Sequence, residues 1–232
     1  MSDTLLLVPG LMCDARLYGP QVEALSRETG VMVACATHGE RIEEIASEIL
    51  MGAPQKFALA GLSMGGIVAM EILRRAPDRV TRLCLMDTNP LAETPQSAAA
   101  YEPMIVGVKA GRLDEVMRGF LKPDFLAPGP KRLEVLAKMA EMTADLGPEV
   151  FLRQVRALQR RRDQQATLRK CAVPTLVMCG AHDRLTPVKR HTFMAELIPN
   201  AELEIVEDAG HVPTLEAPDA VTARLRRWLG LG

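Results

Sequence analysis

The stretch FALAGLSMGGIVAMEI, residues 57–72, governs how the chain is read. It passes from an apolar run into a helix-like pattern through a turn that crowds Gly61, Gly65 and Gly66 around one serine, Ser63. Glycine inside a regular element is disfavoured by roughly 0.5–1 kcal/mol against alanine. A chain that only had to bury apolar surface would not gather three of them here. G-x-S-x-G between a strand and a helix describes a reversal so sharp that side chains two before and two after the serine collide. Such a turn lifts the Ser63 hydroxyl above the end of the strand and aims the first N–H groups of the helix at the same point.

Working outward, short apolar runs with strand character occupy residues 4–8, 31–36, 56–60, 80–86, 174–179 and 202–206. The first, third and fifth are almost continuously apolar, as strands covered on both faces are. Helical patterns lie between them at 20–27, 42–50, 64–75, 188–197 and 219–229, and Thr186-Pro187 and Ala217-Pro218 mark two helix starts. Strand alternating with helix predicts parallel strands in a three-layer α/β domain. The alternation stops between Thr88 and Thr167, where only helix-like stretches occur, at 96–109, 113–121, 131–143 and 149–161. We expect residues 1–88 and 167–232 to form the core domain. Residues 89–166 are expected to form a helical cap over the C-terminal edge of the sheet, where open α/β sheets bind ligands.

Bulk properties narrow the function. A 232-residue chain with 48% hydrophobic and 25% charged residues suits one soluble α/β domain, and a net charge of −1 offers no basic face for nucleic acid or an anionic membrane. The apolar runs are too short to span a bilayer, and MSDTLLLVPG lacks the basic start and long apolar core of a signal peptide. Five scattered cysteines without a C-x-x-C pair suggest neither a disulfide framework nor a zinc site. Together these features point to a cytoplasmic protein that needs no metal and no cofactor.

A serine hydroxyl needs a base. Of the four histidines, His211 in EDAGHVP follows the last strand and so stands at the same sheet edge as Ser63, while His38, His182 and His191 read as structural. The base needs a carboxylate to orient it. Asp183, in the loop leaving the fifth strand, fits the chain order Ser63, Asp183, His211; Asp87, after the fourth strand, is its rival, with an Asx turn as its plainer role. Backbone N–H groups of Met64 and of Leu11, in VPGLMCDARLY, are the expected oxyanion donors.

Taken together, PGLM (9–12), GLSMGG (61–66), APDRVTRLCLMDT (76–88), PTLVMCGAHDRLTP (174–187) and EDAGHVPTLEAPDAV (207–221) resemble the α/β-hydrolase superfamily, and within it the small esterases and enol-lactonases. That resemblance implies a reduced α/β-hydrolase fold of about six parallel strands with a helical cap, without the first two strands usual in the family. It implies hydrolysis of a small-molecule carboxylic ester or lactone through an acyl-serine intermediate. C–C bond hydrolases, vinylogous lyases, perhydrolases and non-enzymatic receptors share this constellation, whereas dehalogenases and epoxide hydrolases need an aspartate where Ser63 stands. Two departures are visible: Pro9-Gly10 replaces the usual His-Gly, and CATHGER (35–41) stands where many relatives carry D-x-x-G-x-G-x-S. Thirteen methionines against one Trp, two Tyr and five Phe suggest an adaptable apolar pocket. Its expected lining is Met12, Leu62, Tyr101, Met104, Met117 and Met139. The run Arg160-Arg161-Arg162 reads mainly as a solvated helix end, with an acidic substrate as the alternative.

Overall fold

The computed structural model describes residues 3–231. The chain runs through β1 (Thr4–Val8), α1 (Gly19–Leu25), β2 (Val31–Val33), α2 (Ile42–Gly52), β3 (Phe57–Leu62), α3 (Met64–Arg75) and β4 (Val80–Met86). A wholly helical insertion follows: α4 (Pro95–Ala99), α5 (Glu102–Lys109), α6 (Leu113–Phe120), α7 (Arg132–Gln159) and α8 (Gln165–Arg169). The alternation then resumes with β5 (Thr175–Gly180), α9 (Val188–Leu197), β6 (Ala201–Val206), α10 (Pro213–Glu216) and α11 (Pro218–Leu229). The strands form one sheet, every neighbouring pair parallel, in the order β2-β1-β3-β4-β5-β6.

Two apolar layers hold this sheet, and the period-two alternation of each strand feeds both. Leu6, Leu59, Leu83 and Val177 pack with Ile45 of α2, Val68 of α3 and Met194 of α9. Leu5, Leu7, Ala58 and Leu176 pack on the opposite face with Leu25 of α1 and Val221 and Leu225 of α11. This is the three-layer α/β arrangement expected. The central β1, β3 and β5 are buried almost throughout, whereas the outermost β2 and β6 are not. Each fully buried Leu or Val contributes about 1.5–3 kcal/mol of transfer free energy.

The boundaries differ from expectation where tertiary contacts intervene. β2 ends at Val33 rather than at residue 36, because its ladder with β1 stops at Leu7 and the Ala36 carbonyl turns to accept from Gln154 Nε2. The stretches 131–143 and 149–161 are the two limbs of α7, broken at Gly147, whose φ of 74° lies outside the helical region and which precedes Pro148. α8 packs against α3 and α9, on the sheet side of the insertion. Among the described residues no helix is long and apolar enough to cross a membrane.

The glycines of the Ser63 turn answer to close packing. A Cβ on Gly61 would lie 2.2 Å from the Gly65 carbonyl oxygen, and one on Gly65 only 2.0 Å from that of Val8 in β1. A Cβ on Gly66 would meet the Thr88 side chain at 2.6 Å. Gly65→Ala is therefore expected to lower unfolding free energy by about 3 kcal/mol or more, or to prevent folding, since backbone must move to admit the methyl. Gly19, helical with nothing within 4 Å of a built Cβ, is the control: Gly19→Ala should be neutral or stabilising by up to about 1 kcal/mol. Urea titration of the two variants checks both values.

Candidate active site

Ser63 follows β3 and precedes α3 with φ 57° and ψ −119°, a conformation that a non-glycine residue keeps only when its surroundings impose it. Those surroundings are specific. The Ser63 N–H donates to the Met86 carbonyl at 2.9 Å, and Thr88 Oγ1 donates to the Ser63 carbonyl at 2.7 Å, filling the space that Gly66 leaves. The loop leaving β4 thus clamps, through Thr88, the turn that follows β3.

Three side chains from three strand ends converge. His211 Nε2 lies 3.1 Å from Ser63 Oγ, and His211 Nδ1 lies 2.9 Å from Asp183 Oδ2. An ionised carboxylate only accepts, so Nδ1 carries the proton and Nε2 is left to accept from the serine. Asp183 is 3% exposed and its oxygens are fully engaged. Oδ1 accepts from the N–H groups of Leu185 (2.8 Å) and Thr186 (3.0 Å), and Oδ2 from the Thr186 hydroxyl (2.5 Å) as well as from His211. Burial alone would raise its pKa; the facing imidazole and the Thr186 bonds outweigh burial and hold the carboxyl well below the usual carboxylate range.

The rival acid stands directly beside this array, its carboxyl against that of Asp183. Asp87 is fully buried and its Oδ1 accepts from the Gly180 N–H at 3.0 Å. Burial, then the charge of Asp183, push its carboxyl well above the ordinary range and so favour its protonated form. Asp87, Asp183 and His211 each offer one ligating atom within 4.8 Å of the others. As a cation site this set fits poorly: Asp183 and His211 already bond each other, and Asp87 would have to ionise.

Of the other histidines, His191 is a buried helix residue whose Nε2 accepts from the Thr88 N–H at 3.0 Å, and burial lowers it to about 4. His182 and His38 are exposed. The backbone N–H groups of Leu11 and Met64 donate to no acceptor among the described residues, and both residues flank Ser63 in the cavity described next.

Ser63 opens onto two spaces. A crevice of about 20 Å3, room for little more than one water, is lined by His211, Leu62, Met117, Phe120 and Met139 among others. A chamber of about 240 Å3 is lined by Met64, Asn89, Glu93, Tyr101 and Arg161 among others. The lining expected from sequence needs two corrections. Met12 has φ 53° and its N–H donates to Gln154 Oε1 at 2.9 Å; that turn sends its side chain into the core against the sheet, away from both spaces. Met104, on α5, packs against the same core and lines neither space. Leu62, Met117 and Met139 line the crevice, and Tyr101 lines the chamber. Arg160 and Arg162 are exposed, while Arg161 between them turns inward.

Two positioning residues carried no sequence signal. Gln154, on α7, holds the Met12 N–H and the Ala36 carbonyl, fixing the loop after β1 from 142 residues away. Glu216 accepts from the N–H groups of Gly210 (3.0 Å) and Val212 (2.8 Å), on either side of His211, and from Ala127 (2.7 Å) in the insertion. The His211 N–H in turn donates to the Phe125 carbonyl at 2.8 Å. Glu216 sits five residues past the histidine, a spacing that a reading for catalytic pairs passes over.

With this geometry in view, comparison with known proteins is direct. The family model described as "Alpha/beta hydrolase family" matches residues 5–224. The chain belongs to the alpha/beta hydrolase family. Among solved structures, a thermophilic esterase from Thermogutta terrifontis superposes with a TM-score of 0.89 at 27% identity, covering 99% of this chain and 90% of that one. The enol-lactonase from Burkholderia xenovorans LB400 gives 0.86 at 23% identity over 99% and 92%, a likeness of fold. Among curated proteins of the family, a putative carbamate hydrolase RutD from Agrobacterium fabrum is 27% identical over 98% of this chain and 93% of its own length. A pimeloyl-acyl-carrier-protein methyl ester esterase from Aliivibrio fischeri is 25% identical over 81% and 75%.

The depressed pKa of Asp183 makes a prediction for this hydrolase-family chain. A carboxylate with a lowered folded-state value adds stability above its unfolded pKa, about 4, and loses it as pH falls toward the folded value. The unfolding free-energy difference between wild type and Asp183→Asn should therefore be largest near neutrality and narrow below about pH 4. A difference that stays constant down to about pH 3 in chemical denaturation would contradict an ionised Asp183.

Proposed function

We propose that this protein is a carboxylic ester hydrolase acting on a small-molecule ester or lactone through an acyl-serine intermediate, with Ser63 as nucleophile, His211 as base and Asp183 as orienting acid. The observation that carries the reading is the 3.1 Å approach of Ser63 Oγ to His211 Nε2 beside two uncommitted backbone N–H groups, those of Leu11 and Met64. A nucleophile in reach of a base, the base held by a third group, and donors where an oxyanion would form are the parts acyl transfer needs. The relatives named as esterases and hydrolases support the same class.

In this reading Ser63 Oγ attacks the carbonyl carbon as its proton passes to His211 Nε2, and the carbonyl oxygen takes up negative charge against the Leu11 and Met64 N–H groups. The tetrahedral species collapses: the bond to the alcohol oxygen breaks and His211 returns the proton to that oxygen. Water then attacks the acyl-serine with His211 again accepting the proton, and collapse releases the acid and restores Ser63. Asp183 keeps Nδ1 protonated and stabilises the imidazolium at each stage. The helical insertion acts as the cap: Met117, Phe120 and Met139 help to exclude water from the crevice.

A fluorophosphonate probe should label wild type and fail on Ser63→Ala, and p-nitrophenyl acetate should be turned over by the first only. Labelling without turnover of any ester, lactone or thioester would instead make the protein a receptor. Between the two acids, Asp183→Asn should lower kcat by roughly 10⁴-fold by imposing the wrong tautomer on His211. Asp87→Asn puts an uncharged amide of the same shape where burial already disfavours the charged carboxylate, and should cost about tenfold or less. Steady-state kinetics on both folded variants would move the acid to Asp87 if the order reversed.

A further inference from the structure

The chamber beside Ser63 is built unlike the crevice. Arg161 and Glu93 meet at 2.6 Å with side chains 8% and 9% exposed, Arg161 Nε donates to the Leu91 carbonyl at 2.9 Å, and the Tyr101 hydroxyl donates to Glu93 Oε1 at 3.1 Å. Asn89 Oδ1 accepts from the Leu91 N–H, which leaves its amide NH₂ as a donor. Beside these polar groups the chamber is walled by Ile67, Phe120 and Leu158. A buried ion pair adds little stability over apolar side chains of the same volume. Facing a cavity that also holds the nucleophile, it supplies polar atoms that a bound chain reaches.

We propose that this chamber receives the acyl part of the ester and selects short acyl chains carrying a neutral hydrogen-bonding group, a ketone or a hydroxyl; the inference rests on the esterase reading of Ser63. The orientation follows from proton transfer. The departing alcohol oxygen must collect a proton from His211, and His211 lines the crevice but not the chamber. The alcohol therefore leaves by the crevice, whose Met117, Leu121 and Met139 also border a wider, mainly apolar cleft of about 770 Å3 between α6 and α7. The acyl part is left to the chamber, beside the N–H groups of Leu11 and Met64.

Selection for a neutral group follows from charge. The Arg161 guanidinium is already matched by Glu93, so a substrate carboxylate would be desolvated against an anion with no free cation to meet it. Burial, and next the charge of Glu93, push the Tyr101 phenol up, so it stays a neutral donor. At about 240 Å3 the chamber is smaller than the roughly 300–1,000 Å3 of drug-sized sites, which limits the chain to a few carbons.

The test compares kcat/KM for the p-nitrophenyl esters of pentanoic acid and 4-oxopentanoic acid and for p-nitrophenyl hydrogen succinate, each corrected for uncatalysed hydrolysis. Wild type should favour the 4-oxopentanoate over the pentanoate by about tenfold, the scale of one well-made hydrogen bond, and should place the hydrogen succinate last. The double variant Glu93→Leu/Arg161→Met removes both charges together, so neither is stranded, and should bring the ratio to about one. Tyr101→Phe keeps the ring and should lower the ratio in part; with wild type it decides the matter should the double variant not fold. A wild-type ratio near one, a preference for the hydrogen succinate, or a ratio untouched by the variants overturns the assignment of the chamber while the esterase reading stands. Turnover of p-nitrophenyl acetate but of none of the three esters overturns the assignment of the chamber alone; turnover of neither overturns the esterase reading, and this inference with it.

Discussion

Backbone packed on backbone at the Ser63 turn is the constraint from which the rest of the site follows. The first turn of α3 lies so close to β1 that the hydrogen on Gly65 is all that fits against the Val8 carbonyl. That closeness presses the start of the helix against the loop leaving β1, and so brings Met64 and Leu11 to the same cavity as Ser63. It also holds Ser63 at its positive φ, with Thr88 locking the carbonyl from the β4 side. Strain at such a turn is tolerable only where neighbours over-determine it, and here three adjacent strands of the sheet do so.

From that point the sheet does the positioning. Ser63, Asp87, Asp183 and His211 follow β3, β4, β5 and β6, which are adjacent in the sheet in that order. Side chains far apart in sequence therefore arrive at one edge with no element devoted to each. The two aspartates show how environment divides similar groups. Asp183 is surrounded by donors and an imidazole, and its pKa is held down; Asp87, one strand nearer Ser63, has one donor and an anionic neighbour, and burial with that neighbour pushes its pKa up. A carboxyl one strand away thus has the opposite electrostatic character.

What was legible in the sequence was local. The glycines around Ser63, the strand-loop sites of Asp183 and His211, and the buried strands each carry a signal within a few residues, because turn sterics and pleat periodicity are short-range. The pocket lining was not legible in the same way. Met12 and Leu11 are neighbours of similar size, and only the positive φ at Met12, imposed by a glutamine in the insertion, separates their directions. Arg161 looks like its two neighbours in sequence, and only the bend of the chain past α7 turns it inward. Gln154 and Glu216 act through backbone groups, which leave no pattern in side-chain chemistry.

The bonds of Gln154 and Glu216 also decide how the insertion is held to the core. Gln154 fastens α7 to the loops after β1 and β2, and Glu216 and the His211 N–H fasten residues 125–127 to the loop after β6. A rigid lift of the whole insertion would break all of these at once, and would release the loops that carry His211 and Leu11 together. The α5–α6 hairpin, whose α6 carries Met117 and Phe120, makes none of these bonds; it is held through α7, by packing and by Gln159, which donates to the Ala98 carbonyl and to Glu102. The insertion is thus fastened in series, α7 and residues 125–127 to the core, and α5 and α6 to α7.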